Sequence, residues 1–196
     1  MKAKFILSKN IVKKQLAKCY ELADEVSYSA KTNYEVSKIL EDTNCSFSVH
    51  SQEGVNQIKN KDKIWFFAQG WNKEEIENLY HQGINSFVVD NKEDLNLLLD
   101  SNKKINLLLR MRLKESTVHT GKHFVFGFFS KDINNLIPKL RNNENILKLG
   151  VHFHRKTQNV SEWSLISELE DSLDKNTLKD LDYVNIGGGI PSIYKN

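Results

Sequence analysis

The sequence predicts an α/β fold of parallel strands covered by helices, arranged as a (β/α)8 barrel. Three observations carry that expectation. Short β-branched and aromatic runs alternate with longer charged segments of helical period. Seven such units follow one another in 196 residues, with only two prolines, one of which, Pro191, lies beyond the last strand. An apolar content of 39%, including ten Phe and three Trp, is enough to fill the core of one domain. Strands alternating with helices build a parallel sheet under helical cover, and seven units in regular succession favour a barrel over a shorter doubly wound sheet.

The elements follow in order. A helix over 10–23 leads into the strand "VSYSA" at 26–30; a helix over 34–42 precedes "CSFSV" at 45–49, and one over 52–60 precedes "IWFFA" at 64–68. Helix 73–82 comes before "SFVVD" (86–90), helix 92–101 before "INLLLRM" (105–111), helix 131–142 before "KLGVHF" (148–153) and helix 162–173 before "YVNI" (183–186). Starts are marked by capping chemistry: Asn72 with Glu75, Ser130 before "KDINNLI", and Ser161 before an acidic first turn offer side-chain acceptors to otherwise unpaired amides. The run "KNKDK" at 59–63 reads as solvated loop or helix end.

Composition excludes some classes of partner. The formal net charge of +3 is the balance of 28 basic and 25 acidic residues scattered along the chain, without the basic stripe of a nucleic-acid binder, so no nucleic acid is expected. "MKAKFILSKN" holds only three consecutive strong apolar residues, Phe5 to Leu7, too short for a signal segment or a membrane span, so a cytoplasmic protein without a membrane partner is expected. Cys19 and Cys45 form neither a metal-type pair nor a disulfide framework and are expected to be reduced and structural.

A barrel of this kind carries its site at the C-terminal ends of its strands. The strand ends deliver Lys31, Ser48 to Ser51, Gln69, Asp90, Arg110, His154 and the glycines 187–189. A partly desolvated primary amine keeps a larger neutral fraction and attacks aldehydes, so Lys31, between Ala30 and Thr32, is either a Schiff-base lysine or a plain surface lysine on a loop. In "VNIGGGIP" three glycines form either an ordinary turn or a place where backbone amides approach a phosphate with no Cβ in the way. His152 and His154 share a strand face by period two, but no third zinc ligand stands at a recognisable spacing. His154 at the strand end offers a ring to stack on a flat cofactor, Thr157 a hydroxyl for a phosphate, and Arg110 a cation that is costly to bury without an anion.

Taken together, these stretches resemble one family. "YSAKTNY", "FSVHSQEGV", "FVVDNKEDLNLL", "LLLRMRL" with "GKHFVFGF", "GVHFHRKTQ" and "VNIGGGIP" resemble, in the same order, six motifs of the alanine-racemase-fold, fold-type III amino-acid decarboxylases that act with pyridoxal 5'-phosphate on ornithine, arginine or diaminopimelate. The resemblance spans residues 5 to 195 and implies one pyridoxal-phosphate-binding barrel domain over 1–196. It implies that Lys31 forms the Schiff base and returns a proton after decarboxylation, and that His154 stacks on the pyridine ring. Arg110 then lies at the ring's polar edge, and Gly187, Gly188 and Gly189 cradle the phosphate with Thr157.

Departures accompany it. Arg155 and Lys156 stand where the family has small residues, and Ser48 and His50 where it often has Asp and Ala. The family also has an eighth strand and a C-terminal β domain, which supply the acid that holds the pyridine nitrogen protonated and further substrate groups. Neither follows "GGGIPSIYKN", so the chain reads as the N-terminal part of a decarboxylase of basic amino acids, a homodimer or a chain completed by another polypeptide. The alternatives are a noncatalytic pyridoxal-phosphate carrier or regulatory subunit paired with an active homologue, a racemase, for which no second base stands out, and a barrel scaffold without cofactor.

Overall fold

A computed structural model of the chain describes residues 6–112, 126–154 and 164–188. All seven expected strands are present: β1 (Ser27–Ser29), β2 (Ser46–Val49), β3 (Ile64–Phe67), β4 (Ser86–Val89), β5 (Ile105–Arg110), β6 (Ile146–His152) and β7 (Tyr183–Asn185). The helices are α1 (Lys9–Tyr20), α2 (Tyr34–Leu40), α3 (Gln52–Gln57), α4 (Lys73–His81), α5 (Lys92–Asp100), α6 (Ser130–Arg141), α7 (Leu165–Ser172) and α8 (Lys175–Lys179). Strand order follows chain order. The chain forms two compact units, one of residues up to Phe67 with Glu77–Ser86, the other of Ala68–Ile76 with the residues from Phe87 onward.

In the first unit β1, β2 and β3 pair in parallel, with Tyr28 beside Phe47 and Phe47 beside Ile64. Along β2, Phe47 and Val49 are buried while Ser46 and Ser48 are half-buried, the alternation of a sheet whose two faces differ. Val55, Ile58, Ile64, Leu79 and Ile84 complete this core; each fully buried side chain of this size contributes about 1.5–3 kcal/mol. The Nζ of Lys61 donates to the Val55 and Ile58 carbonyls, and that of Lys63 to the Glu41 and Thr43 carbonyls at 3.0 and 2.6 Å. Part of "KNKDK" is therefore a 3-10 turn, Lys61–Lys63, whose lysines close helix ends instead of facing solvent. Cys45 is fully buried, which pushes its thiol up to about 11 and leaves it unreactive. Cys19 is exposed on α1, so the expected structural role fits Cys45 alone.

The second unit is built on β5, β6 and β7, again parallel, with a register irregularity between Ile105 and Asn106. Its core joins Phe87, Leu95, Leu98, Leu107, Leu109, Ile133, Ile137, Leu149, Val151 and Phe153. Gly150 lies in mid-strand because an added Cβ would press on the Tyr183 carbonyl and come within 2.7 Å of Leu108 Cδ2. Asp94, at the start of α5, is buried and holds the chain after β3. Its carboxylate accepts the Gly70 N–H at 3.0 Å, its carbonyl accepts the Trp71 indole N–H at 3.2 Å, and Trp71 packs edge-on to Phe87.

Two expected starts are corrected. Ser130 is the first residue of α6, not its cap; Phe129 occupies the cap position and contributes no side-chain bond. Helix α7 begins at Leu165 with Ser164 Oγ accepting from the Ser167 N–H, and Ser161 lies outside the described residues. The five-residue α8, capped by Asp174, is too short to leave a periodic signal in the sequence. Among the described residues no helix is long and apolar enough to cross a membrane.

Candidate active site

Three strand ends in the second unit form one row. Parallel pairing sets Arg110 beside His152 and His152 beside Asn185, so the last residues of β5, β6 and β7 stand in register, with His154 and Gly187 two positions farther on. In a parallel sheet residues in register project to the same side, which gathers these groups at one rim.

Arg110 is half-buried. Burial pushes its guanidinium below the usual range, against the opposing pull of the Asp90 carboxylate at the end of β4. The cation lies over the ring of Phe126, 5.5 Å from its centre. The returning chain crosses Arg110 closely: the Phe128 N–H donates to the Arg110 carbonyl at 2.8 Å. Gly127, at φ +116°, makes this crossing possible, since a Cβ there would sit 2.5 Å from that carbonyl oxygen.

Hydrogen bonding fixes the protons around the glycine turn. The Gly187 N–H donates to the Asn185 side chain at 2.9 Å, so the atom facing it is the carboxamide oxygen Oδ1. The same oxygen lies 3.1 Å from His152 Nδ1, which must then carry the proton and donate. One position later the Gly188 N–H donates to His154 Nδ1 at 3.3 Å, which requires a lone pair on that nitrogen and leaves the proton of the neutral ring on Nε2. The two histidines thus use Nδ1 in opposite ways: His152, buried, donates from it, and His154, exposed, accepts on it.

The expectation that the glycine amides stand open to an anion is corrected on this point, because in this structure the amides of Gly187 and Gly188 both donate within the chain. Their reasons for being glycine differ. Gly187, at φ +72°, would press a Cβ to 2.6 Å from the Phe153 carbonyl; a Cβ on Gly188 would meet nothing within 4 Å. Gly189 and Thr157 lie outside the described residues.

Lys31 belongs to the first unit. The buried Ala30 extends the ladder one residue past β1, its N–H donating to the Ser48 carbonyl at 3.1 Å, and the chain then turns as the Thr32 N–H reaches the Ser29 carbonyl at 3.0 Å. That turn carries Lys31 out of the packed layer. The partial desolvation expected of it is therefore corrected: the residue is exposed. Nearby in the same sheet the Ser27 and Ser48 hydroxyls share a hydrogen bond of 2.8 Å, and the His50 ring lies 4.5 Å from that of Phe67.

Residues 8–196 match the family model described as pyridoxal-dependent decarboxylase, pyridoxal binding domain. The chain belongs to this family. Among solved structures it is similar to the arginine decarboxylase of Paramecium bursaria Chlorella virus, at 18% identity and a TM-score of 0.74 over 95% of this chain and 54% of that one. A lysine/ornithine decarboxylase of Vibrio vulnificus, solved with cadaverine, aligns at 20% identity and 0.73 over 95% of this chain and 52% of its own. The lysine decarboxylase of Selenomonas ruminantium aligns at 16% and 0.68 over 97% and 58%. At these identities the likeness shows the fold, the α/β barrel portion of such decarboxylases, and the chain spans about half the length of the structures it matches first. No curated protein sequence matches it.

The decarboxylase family's pyridoxal-binding domain thus contains Arg110, His154, Gly187 and Gly188 at adjoining strand ends of one unit, with Lys31 at the end of β1 in the other. Sequence reasoning left three contributors without a role: Asn185, Phe126 and Gly127. Asn185, two residues before a positive-φ glycine, carried a signal, since Asn side chains close such turns onto the amide two residues ahead.

Proposed function

We propose that this chain is the cofactor-holding part of a pyridoxal-phosphate-dependent decarboxylase of a basic amino acid of the ornithine, arginine or diaminopimelate type. The observation that carries this reading is the family match over residues 8–196 together with the register row that collects an arginine, a histidine and a glycine turn at one rim. The residues fit the cofactor. Gly188 has space where a side chain would stand, which suits a phosphate lying against its backbone, and the half-buried Arg110 is a cation that lacks full solvation.

Bound there, pyridoxal phosphate supplies an electron sink for the carbanion left when a carboxylate departs. The chain's own residues divide the remaining work. Lys31 would hold the cofactor, its exposed amine just past β1 being open to an incoming aldehyde. The exposed His154 would stack on the pyridine ring, its Nδ1 accepting from the Gly188 N–H. Arg110, over the Phe126 ring and under the pull of the Asp90 carboxylate, would lie toward the ring's polar edge. Gly187, Gly188 and Gly189 with Thr157 would hold the phosphate.

Incubation with pyridoxal phosphate, borohydride reduction and peptide mass mapping test this reading. A single adduct on Lys31 is expected, with its imine absorbance lost in Lys31→Ala; an adduct elsewhere, or none, overturns it. Because Lys31 is exposed, the same substitution should change stability by no more than about 0.5 kcal/mol in urea denaturation. An adduct on Lys31 without release of carbon dioxide from any basic amino acid by the full protein would favour a pyridoxal-phosphate carrier or regulatory subunit instead.

A further inference from the structure

Behind the glycine turn stands a polar pair with no part in the cofactor contacts above. His152 is only 5% exposed, and a ring N–H so placed needs an acceptor. That acceptor is Asn185 Oδ1, at 3.1 Å, and the same oxygen receives the Gly187 N–H at 2.9 Å. One carbonyl oxygen therefore joins β6 to the backbone just past β7, at the residue where the chain enters the left-handed region at φ +72°.

We propose that Asn185, oriented by His152, is a positioning residue that sets the shape of the glycine turn for the phosphate group of the cofactor. This rests on the reading of the preceding subsection. The geometry requires an acceptor at position 185 that serves two donors at once, and Asn meets this with a single oxygen whose orientation the Gly187 amide dictates. Its carboxamide oxygen is engaged within the chain by His152 and Gly187. Its effect passes through the turn, which directs the backbone of Gly188, where a Cβ would find open space. A carboxylate in its place would still accept both bonds, whereas an apolar side chain of the same volume would take this acceptor from both donors.

The test uses the full chain and two aldehydes, pyridoxal phosphate and pyridoxal, which lacks the phosphate. Imine absorbance gives the affinity for each. Asn185→Leu should lose about five- to tenfold in affinity for pyridoxal phosphate and none for pyridoxal, and Asn185→Asp should restore binding to within about threefold of wild type. If Asn185→Leu does not fold, Asn185→Ser, too short to reach both donors, is measured against the same two aldehydes. Nitrogen NMR of the ligand-free chain should find the His152 proton on Nδ1 and the His154 proton on Nε2.

An Asn185→Leu chain that binds pyridoxal phosphate like wild type, an equal loss for both aldehydes, or an unprotonated Nδ1 on His152 would overturn this inference while leaving Lys31 and the decarboxylase reading in place. A wild-type chain that takes up neither aldehyde overturns that reading and this inference with it.

Discussion

Gly187 and Gly188 are adjacent, yet the chain needs the first and only a ligand would need the second. Gly187→Ala forces a side chain into the left-handed region and against the Phe153 carbonyl, so a loss of about 1–2 kcal/mol or more is expected in urea denaturation. Gly188→Ala meets nothing within the chain and should leave stability within about 0.5 kcal/mol, while fluorescence titration should register weaker pyridoxal phosphate binding. At this scale the candidate residues, though not their surroundings, stood out in the sequence. A lysine after small strand residues, an arginine in an apolar run and a glycine triplet are conspicuous because each is costly or unusual where it stands. Asn185 was not legible as the partner of His152, because that depends on the register of β6 against β7, which residue types alone do not specify. The exposure of Lys31 was also hidden, since it follows from a turn closed between Ser29 and Thr32.

Among elements, reciprocal chemistry was the most readable. The Asn72 side chain accepts the Glu75 N–H at 3.0 Å and the Glu75 carboxylate accepts the Asn72 N–H at 2.8 Å, a capping box that can be recognised from the two residues and their spacing. Asn72→Ala should cost about 1 kcal/mol, measured as a lower urea midpoint at constant slope. Ser130 misled because a serine before an amphipathic run can be the cap or the first helical residue, and Phe129, packed against the Arg112 cation at 4.5 Å, takes the cap position. Strand interiors obey a stricter limit. Gly150→Ala should destabilise by about 1–3 kcal/mol, because Leu108 and the backbone of Tyr183 flank the space from two neighbouring strands and neither can withdraw freely.

For the molecule as a whole, the alternation of apolar and charged segments was enough to indicate the seven strands, and the likeness to solved decarboxylases shows their fold. What the alternation did not reveal is the ionic tie of the second unit, where Arg141 at the end of α6 reaches the Asp180 carbonyl and pairs with Asp182 at 2.9 Å. Burial pushes the Asp182 carboxyl up, but the Leu149 N–H at 2.8 Å and the Arg141 cation outweigh it and hold the group below the usual carboxylate range. A folded pKa below the unfolded one stabilises above the ordinary value of about 3.9, and that contribution is lost as pH falls through the lower folded value. Asp182→Asn should therefore be less stable than wild type at neutral pH, and urea midpoints measured over a pH series should converge in acid. The row from Arg110 through His152 to Asn185 also makes β7 a molecular ruler. Lengthening the connection between α7 and α8 leaves the gauge unread, but splicing a single extra residue between Tyr183 and Asn185 would turn the carboxamide to the opposite side of the sheet, so length variants of this chain should cluster in its connections and spare this three-residue segment.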